Sequence, residues 1–477
     1  MPVRIALPKG RLLAETATLL EKAGWRLSGY DASLRNYRLS SGRFPDLSVK
    51  VFQEKDIPIQ VAIGNYDLGI CGLDWIEELS VKYSNTALMK VKNLGYGSGA
   101  LYIAGSRTQT GLSIDRLRTQ DETVRIASEY PNIAESFALN LRLRRFSIYP
   151  VWGAAEAYPP ESATLALVSG SPDGKSLNNG LAPLSKVIDY NAFLIANRQS
   201  WKQKDLSEIL ATLDKVQLVV ADIHSPNTPA LNKVTTPPFP IGKEATDIVR
   251  IALPDGHQQK FTVELLKRAG IQIDGYPSDT GNRRPAIKME GVFAKVIRPQ
   301  DMPLQVANGN FDLAITGRDW LTDHLAAFPS SPVREILDLK FGWVRIVAVV
   351  DNNIPADNVY ALRQQSIGDG SSIRVASEYI NLADKYAREN HLGMYRIIPT
   401  WGATEAFLPE DADLLIENTE TGSTIARHNL KIIDTLFEST GRLIGMKEGK
   451  YNRAKQARIN SLTKMLANAV GGKQEHP

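Results

Sequence analysis

The clearest candidate for chemistry in this sequence is a short run that starts with a carboxylate and ends in hydroxyl side chains. An apolar stretch that predicts a strand ends at Glu417, and the loop Glu420-Thr421-Gly422-Ser423-Thr424 follows before a helical stretch at Ile425. A small-residue turn at a helix start offers N–H groups, hydroxyls and the positive end of the helix dipole, which bind phosphate. Carboxylates repel phosphate but suit sugar hydroxyls. The run predicts a ribose 5-phosphate site, with a simple turn and helix cap as the alternative.

A second candidate is the cationic turn Lys9-Gly10-Arg11, which lies between an apolar strand and the helical stretch that begins near Leu12. Open α/β sheets bind ligands at the carboxyl ends of their strands, so Lys9 and Arg11 predict an anionic ligand there. An ordinary surface turn is the alternative.

These two candidates lie in different halves of a sequence that repeats. Residues 3–8 (VRIALP) return at 249–254, and residues 125–130 (RIASEY) return at 374–379 as RVASEY. Each copy occupies about half of the 477 residues, which is far longer than the repeat of a solenoid. Each copy is therefore predicted to be a complete globular unit, and the chain an internal pseudo-dimer.

Within each copy, short apolar runs alternate with stretches of helical periodicity, which predicts an α/β fold with a parallel sheet. A second strand–helix series begins near Val124 and near Ile373, so we expect two lobes around a cleft in each copy. A proline-rich stretch at 223–246 predicts a linker. The predicted domains are 1–222, with lobe I at 1–105 and 186–222 and lobe II at 106–185, and 247–477, with lobe I at 247–350 and 431–477 and lobe II at 351–430.

Composition excludes several classes of function. The 56 Lys and Arg nearly balance the 52 Asp and Glu, for a net charge of +4 without a basic run, so nucleic acid is not an expected partner. No apolar stretch reaches the roughly 18 residues of a membrane span, and the start holds no signal-peptide core. The single cysteine, Cys71, cannot form an internal disulfide. A cytoplasmic protein is expected.

Several ordered motifs resemble the ATP phosphoribosyltransferase family, which carries out the first step of histidine biosynthesis. They are Arg4–Leu12, Arg298–Pro303, Phe311–Gly317, Arg374–Tyr379, Gly402–Glu405 and Thr421–Thr424. The resemblance covers nearly all of both copies. It implies tandem short-form catalytic units, each with a type II periplasmic-binding-protein-like fold of two α/β lobes. It also implies transfer of the phosphoribosyl group of phosphoribosyl pyrophosphate to N1 of ATP, with release of pyrophosphate in the presence of Mg²⁺.

The resemblance also implies roles for individual residues. Glu417, Arg298 and Arg345 are the expected catalytic residues, and Glu420 to Thr424 the expected phosphoribosyl loop. A carboxylate such as Glu417 can stabilise the positive charge that develops on the ribose ring. The sequence contains no dedicated metal cage, so Mg²⁺ is expected to be carried by the substrate phosphates.

The two copies have lost complementary parts of this machinery. In the first copy, Val168 stands for Glu417 and Asp173 for Thr421, while Pro172 removes a backbone donor. Further replacements in the first copy are Gln53 for Arg298 and Ala100 for Arg345. In the second copy, Asp255-Gly256-His257 replaces Lys9-Gly10-Arg11. Chance decay of both copies is one interpretation.

The other interpretation is one composite site per chain. The resemblance implies that catalytic units pair and that an arginine of one unit reaches the active site of its neighbour. Arg35 lies in a segment similar to that arginine-bearing loop, so the first copy is expected to supply Arg35, together with Lys9 and Arg11.

Few residues follow Ile444, so histidine feedback would need a separate regulatory subunit, and further homo-oligomers are compatible with the sequence. A catalytically inactive nucleotide-binding or phosphoribosyl-binding protein is the alternative function. A transport receptor is disfavoured because no signal peptide is evident.

Overall fold

The computed structural model describes residues 2–216 and 247–471, except for short gaps at 33, 35, 84–86, 175–176, 178–179, 279–280, 371, 448 and 450. The predicted linker at 223–246 and Arg35 both lie outside the described residues. Two copies of one architecture are present, each with two α/β lobes, so the predicted fold class is confirmed.

In the first copy, both ends of the copy build lobe I, and lobe II is inserted between them. The elements are β1 (Val3–Lys9), α1 (Leu13–Lys22), β2 (Arg38–Leu39), β3 (Leu47–Gln53), α2 (Ile57–Ala62), β4 (Leu68–Gly72), α3 (Leu73–Lys82), β5 (Leu88–Asn93), β6 (Gly99–Ser106), α4 (Ile114–Thr119), β7 (Val124–Ser128), α5 (Pro131–Asn140), β8 (Phe146–Pro150), β9 (Leu165–Gly170), β10 (Leu181–Tyr190), β11 (Ala192–Asn197), α6 (Arg198–Gln203) and α7 (Ser207–Asp214). A short 3₁₀ turn at Ala155–Ala157 precedes β9.

Among the described residues, the second copy repeats this order except for one added short strand, one added short helix and one terminal helix in place of two. Its elements are β12 (Val249–Pro254), α8 (His257–Arg268), β13 (Ile273–Asp274), β14 (Ala286–Ile287), β15 (Val292–Ile297), α9 (Met302–Ala307), β16 (Leu313–Gly317), α10 (Arg318–Ala327), β17 (Val333–Asp338), β18 (Val344–Asp351), α11 (Val359–Asp369), β19 (Ile373–Ser377), α12 (Ile380–Glu389), β20 (Tyr395–Pro399), β21 (Leu414–Thr419), α13 (Ser423–Arg427), β22 (Leu430–Ser439), β23 (Gly441–Met446) and α14 (Arg453–Gly471). A 3₁₀ turn at Thr404–Phe407 precedes β21.

The sheets are mixed rather than purely parallel. In lobe I of the first copy the order is β2-β3-β1-β4-β11-β5, where β3, β1 and β4 are parallel and β11 is antiparallel to both of its neighbours. Lobe I of the second copy has the matching order β15-β12-β16-β23-β17. The centre of β1, Ile5-Ala6-Leu7, is apolar because it is buried on both faces, and every residue of β4 is buried as well.

The predicted lobe boundaries are displaced by several residues. The crossing strands β6 and β10 pair with each other from Gly99 opposite Tyr190 to Ser106 opposite Leu181, so both belong wholly to lobe II. In the second copy β18 and β22 pair in the same way. The sheet of lobe II therefore spans 99–190 in the first copy and 344–439 in the second. The first and last strands of each range are hydrogen-bonded to each other along their whole length, so neither can belong to lobe I.

The two copies pack head to tail, with lobe I of one against lobe II of the other. Phe52 meets Phe407 with ring centroids 5.3 Å apart. Next to this contact, the buried ammonium of Lys50 lies 2.7 Å from Asp411, and at the equivalent seam Lys295 lies 2.8 Å from Glu161. A buried charge is costly unless it is paired, so these contacts hold the copies in one register. None of the described helices is both long and apolar enough to cross a bilayer.

Candidate active site

A cavity of about 580 Å³ lies between the two lobes of the second copy, and we call it the second cleft. Lobe I contributes the ends of β12 and β15, and lobe II contributes the ends of β19 and β21 with the loop before α13. Residues of both lobes therefore face one space, and those with functional groups include Asp255, Arg298, Glu378, Glu405, Glu417, Glu420, Thr421, Ser423 and Thr424.

The predicted phosphoribosyl loop follows β21. Gly422 adopts a φ of 77°, a left-handed conformation that favours glycine, and its N–H donates to the Thr419 hydroxyl at 2.9 Å. The Thr421 hydroxyl lies 3.0 Å from that of Ser423, and both side chains are exposed to the cleft. Because α13 has only five residues, its dipole is small, and phosphate binding here depends on the hydroxyls and N–H groups of the loop itself.

Glu417 occupies the part of β21 that faces the second cleft. Burial and the neighbouring Glu378 and Glu405 raise the pKa of Glu417 to about 8. Its carboxylate accepts the N–H of Asn418 at 2.9 Å. Among the described residues, no cation lies within ion-pair distance of Glu417, so a cationic group that entered the cleft would favour its ionised form.

Sequence reasoning did not assign site roles to Glu378 and Glu405. Glu378 follows β19, which runs parallel and adjacent to β21, so Glu378 and Glu417 meet at the same sheet edge. Burial, Glu405 and Asp319 raise the pKa of Glu378 to about 7, and Glu378 and Glu417 titrate as an interacting pair. The signal in the sequence was the position of Glu378 after a predicted strand, where cleft residues of α/β proteins are expected.

Arg298 and Asp255 stand together at the lobe I side of the second cleft. Arg298 lies 3.3 Å from Asp255, which is also 2.7 Å from Arg283. The anion that replaced Lys9 in this copy is therefore held between two guanidinium groups. The Arg298 side chain remains 41% exposed, so its guanidinium can also contact a phosphorylated ligand.

Arg345 is placed differently from the other predicted catalytic residues. It lies on β18 opposite Thr419 of β21, next to the loop, but it is not among the residues that line the second cleft. Its Nε is buried and has no hydrogen-bond partner in the part of the chain that the structure describes.

The first copy reaches the second cleft through Lys9 and Tyr37. The ammonium of Lys9 donates to the Tyr37 hydroxyl at 2.8 Å, and the Tyr37 ring stacks on His428 with centroids 5.4 Å apart. The Nε2 of His428 lies 4.0 Å from Glu405, which lines the cleft. The structure thus brings Lys9 near the second cleft, with Tyr37 and His428 between them.

Arg11 does not join that group, and the prediction that it binds substrate in the second cleft is wrong. Its guanidinium pairs with Glu54 at 2.8 Å and Asp74 at 3.1 Å, and it lies 4.7 Å from the centroid of the Tyr190 ring. All of these partners belong to the first copy. Two buried carboxylates need a counter-charge, so Arg11 stays in the cleft of its own copy.

Side chains occupy the equivalent space in the first copy, which we call the first cleft. Tyr190 stands where the second copy has Ser439, and its hydroxyl contacts that of Ser169. The first-copy loop is closed on itself, because the Ser171 hydroxyl donates to Asp173 at 2.6 Å. At the position of Thr421 this loop has the carboxylate of Asp173.

The glutamates of the first cleft have cationic partners. Glu129, the counterpart of Glu378, lies 3.1 Å from Lys55, and Glu156, the counterpart of Glu405, lies 3.0 Å from Arg283 of the second copy. Among the described residues, no group of three or more His, Cys, Asp or Glu side chains is arranged to hold a metal ion in either copy.

Comparison with known proteins gives a consistent family. The family model "ATP phosphoribosyltransferase" matches residues 53–217 and 298–468. The ATP phosphoribosyltransferase of Chlorobaculum parvum is 30% identical over 231 residues, which are 47% of this chain and 73% of that protein. The enzyme of Desulfatibacillum aliphaticivorans is 31% identical over 230 residues, with the same coverage.

Among solved structures, a chain of the ATP phosphoribosyl transferase (HisG:HisZ) complex from Thermotoga maritima is similar at 19% identity and a TM-score of 0.39, over 47% of this chain and all of that one. The family model matches a long segment in each copy, so both halves carry the same relationship. The chain therefore belongs to the ATP phosphoribosyltransferase family, whose members are transferases of histidine biosynthesis.

Proposed function

We propose that the second cleft transfers the phosphoribosyl group of phosphoribosyl pyrophosphate to N1 of ATP, giving N1-(5-phosphoribosyl)-ATP and pyrophosphate. The observation that carries the proposal is the combination of a hydroxyl-rich loop with Glu378 and Glu417 in one open cavity. One wall suits a 5-phosphate, and the other suits a ribose ring that becomes positively charged.

In this mechanism the loop binds the 5-phosphate. The hydroxyls of Thr421, Ser423 and Thr424 and the loop N–H groups donate to its oxygens. Glu420 is exposed and lines the second cleft, where it can accept from a ribose hydroxyl. Mg²⁺ enters as part of the substrate, because the oxygens of pyrophosphate are ligands that it prefers.

The chemical step exchanges one bond at ribose C1. The lone pair of adenine N1 forms the new C–N bond, and the electron pair of the C–O bond leaves with pyrophosphate. The ribose ring is positively charged when the C–O bond has largely broken and the C–N bond is not yet complete. The ionised Glu417 and Glu378 stabilise that charge. Arg298 offsets the charge on the leaving pyrophosphate, and Arg345 supports the loop strand from β18.

We propose that the site is shared, so that each chain has one active cleft. The contact from Lys9 through Tyr37 to His428 supports a contribution from the first copy. Arg35 belongs to the same segment as Tyr37, and we retain it as a substrate-binding residue in this proposal. Arg11 is excluded because its partners lie in the first cleft.

A regulatory partner is part of the proposal. The solved relative from Thermotoga maritima is a HisG:HisZ complex. By analogy, a separate regulatory subunit would bind this chain and carry histidine feedback.

The test is to follow pyrophosphate release and the ultraviolet absorbance of N1-substituted ATP with the purified full chain, Mg²⁺ and both substrates. Product formation is expected, and Arg35→Ala should remove most turnover, whereas Arg118→Ala, an exposed arginine on α4, should not. Full activity of the Arg35 variant would contradict the shared site. No product with or without a regulatory partner would instead identify a catalytically inactive binding protein.

A further inference from the structure

A second cavity of about 510 Å³ lies where the two copies meet, and we call it the inter-copy cavity. The helices α3 and α10 and the starts of α5 and α12 surround it, so each copy contributes equivalent elements. Its volume is within the range of small-molecule sites, and such sites are common at domain interfaces. The proposed transfer reaction does not use this cavity.

Six aromatic side chains line the inter-copy cavity, at matched positions of the two copies. These pairs are Trp75 with Trp320, Trp152 with Trp401, and Tyr83 with Phe328. The copies differ at the residues of their clefts, where Val168 stands for Glu417, yet both have an aromatic ring at each of these three positions. The rings are therefore a shared feature of an interface whose neighbouring clefts have diverged.

Packing between the copies does not account for all of these rings. Tyr83 is 55% exposed and Phe328 is 54% exposed, at equivalent positions on the rim. Both are large apolar groups that remain in contact with water. Exposed rings that border a concave apolar surface are typical of a binding site.

The charged groups that line the inter-copy cavity are predominantly acidic. The carboxylates are those of Glu78, Glu129, Asp301 and Asp323, against the ammonium groups of Lys55 and Lys82. Lys55 is already paired with Glu129 at 3.1 Å. His324 also lines the cavity, but burial lowers its pKa, so it adds no positive charge at neutral pH. The balance favours a cation over an anion.

Two of these carboxylates are partly or mostly protonated at neutral pH, and a positive charge would change that. Burial raises the pKa of Glu78 to about 7, although the N–H groups of Asn132 and Ile133 donate to it. Burial also raises the pKa of Asp301 to about 8. A positive charge nearby would return both groups to their ionised form, which is a favourable interaction that an anionic ligand cannot make.

The inter-copy cavity is connected to the second cleft. Trp320 and Gln300 line both cavities. The ring of Trp320 is 4.3 Å from that of Tyr379, and the Tyr379 hydroxyl donates to Asp319 at 2.6 Å. A ligand in the inter-copy cavity that contacts Trp320 would therefore contact a residue that also lines the second cleft.

We propose that the inter-copy cavity binds a small planar aromatic molecule that carries a positive charge. The rings of Trp152 and Trp401, with Tyr83 and Phe328 at the rim, supply apolar contact and the negative π-faces that attract cations. The carboxylates of Glu78 and Asp323 supply the charge complement.

Isothermal titration calorimetry with three probes tests this proposal on the full chain. Tryptamine has an indole ring and a positive charge, indole is neutral, and indole-3-acetate is negative. Tryptamine is expected to bind at one site per chain, at least about tenfold more tightly than indole, and indole-3-acetate not at all. Equal affinity for all three probes, or no binding of tryptamine, would overturn the proposal.

The double variant Tyr83→Ala/Phe328→Ala locates the site, because both side chains are exposed and their removal leaves the buried core intact. It should weaken tryptamine binding by about tenfold or more. Tyr360→Ala is the matched control, since Tyr360 is 64% exposed on α11 and does not line the cavity. Unchanged binding in the double variant would refute this location. Light scattering would show a doubled mass if a second chain covered this surface. A doubled mass together with no binding of tryptamine would also refute the proposal. Calorimetry needs no turnover, so these results are independent of the proposed reaction.

Discussion

The two clefts of this chain share one fold but differ in how their charges are balanced. In the first cleft, Arg11 lies between Glu54 and Asp74, and Tyr190 fills the remaining space. In the second cleft, Glu378 and Glu417 have no ion-pair partner among the described residues, and a cavity of about 580 Å³ remains open. An internal guanidinium completes one cleft, whereas the other is left to be completed by a ligand.

The lobe that faces each cleft from the opposite copy explains part of this difference. Tyr37 and Arg283 occupy equivalent positions. The backbone carbonyl of Tyr37 accepts the N–H of Val51, and that of Arg283 accepts the N–H of Val296, the matching strand residue. Arg283 pairs with Glu156 at the first cleft, whereas Tyr37 stacks on His428 at the second. The equivalent packing of the two copies therefore places a cation, Arg283, at the first cleft and a neutral ring, Tyr37, at the second.

A second equivalent pair repeats the pattern. Lys9 lies opposite Gln53 at the ends of β1 and β3, and Asp255 and Arg298 follow the ends of β12 and β15. Arg298 approaches Gly153 of the first copy, and Gln53 approaches Gly402 of the second. A fused dimer can thus specialise its two clefts by changes in the lobe that faces them. This comparison leads to five predictions.

The largest effect is expected from loss of the carboxylate that only the second cleft has. Glu417→Gln should lower kcat by about 10²- to 10³-fold, because a charge-stabilising group in the transition state is removed. Asp173→Asn in the first-copy loop is the control and should leave kcat unchanged. Comparable losses from both changes, measured by pyrophosphate release, would mean that the clefts do not differ as described.

The loop hydroxyls should act mainly on substrate binding. Thr421→Val should raise KM for phosphoribosyl pyrophosphate by about tenfold, the effect of one lost hydrogen bond to a charged group. Ser171→Ala, which removes a hydroxyl from the first-copy loop, is the control and should have no effect on KM. Initial rates at varied substrate concentration give both values, and an equal rise for Ser171→Ala would contradict the assignment.

Arg11 should contribute to stability rather than to catalysis. Arg11→Met leaves Glu54 and Asp74 without their cation, and because the Arg11 side chain is 36% exposed we expect a loss of about 1–2 kcal/mol in the free energy of unfolding. Urea denaturation measures this loss. The kcat of the second cleft should be unchanged, and a large fall in kcat without destabilisation would restore Arg11 to the active site.

Gln53→Arg should make the second cleft resemble the first. The groups around Glu378 are Glu405, Glu417 and Asp319 of the second copy and Asp56 and Gln53 of the first. With pKa values of about 7 and 8 for Glu378 and Glu417, activity should rise with pH across this range. A new cation should move the rise to lower pH by about one unit. Gln53→Met is the neutral control and should leave the pH–rate profile in place.

The last prediction concerns the pH dependence of stability. The folded state binds a proton at Glu417 up to about pH 8, whereas an unfolded glutamate releases it near its ordinary pKa of 4.5. Stability should therefore fall as pH rises from about 4.5 to 8. Glu417→Gln removes this term, so its melting temperature should fall less over the same range. Parallel thermal melts that show the same slope for both proteins would contradict the raised pKa.

Much of the fold followed from local sequence patterns. The repeat of VRIALP, the alternation of apolar runs with helical periodicity and the return strand at β11 predicted two copies of two lobes. The exact lobe limits did not follow, because β6 and β10 are joined by long-range hydrogen bonds that leave no local signal.

The site was predicted in part. Glu417 and the loop from Glu420 to Thr424 line one cavity, because a strand end and the turn after it are contiguous in sequence. Glu378 and Glu405 joined them only through the pairing of β19 with β21 and the turn before β21. Arg11 was assigned to the second cleft because its motif shows that a positive charge is present. The motif does not show which carboxylates pair with that charge, and these are Glu54 and Asp74 of the first copy.

The sequence by itself determined which functional groups each copy retains, because residue types and their spacing along the chain are fixed by the covalent structure. Only the tertiary structure decided where the charges are balanced, because Coulomb interactions act through space and depend on burial. Arg11 turns into the first cleft and Tyr37 faces the second, and for that reason Glu378 and Glu417 have no counter-ion among the described residues.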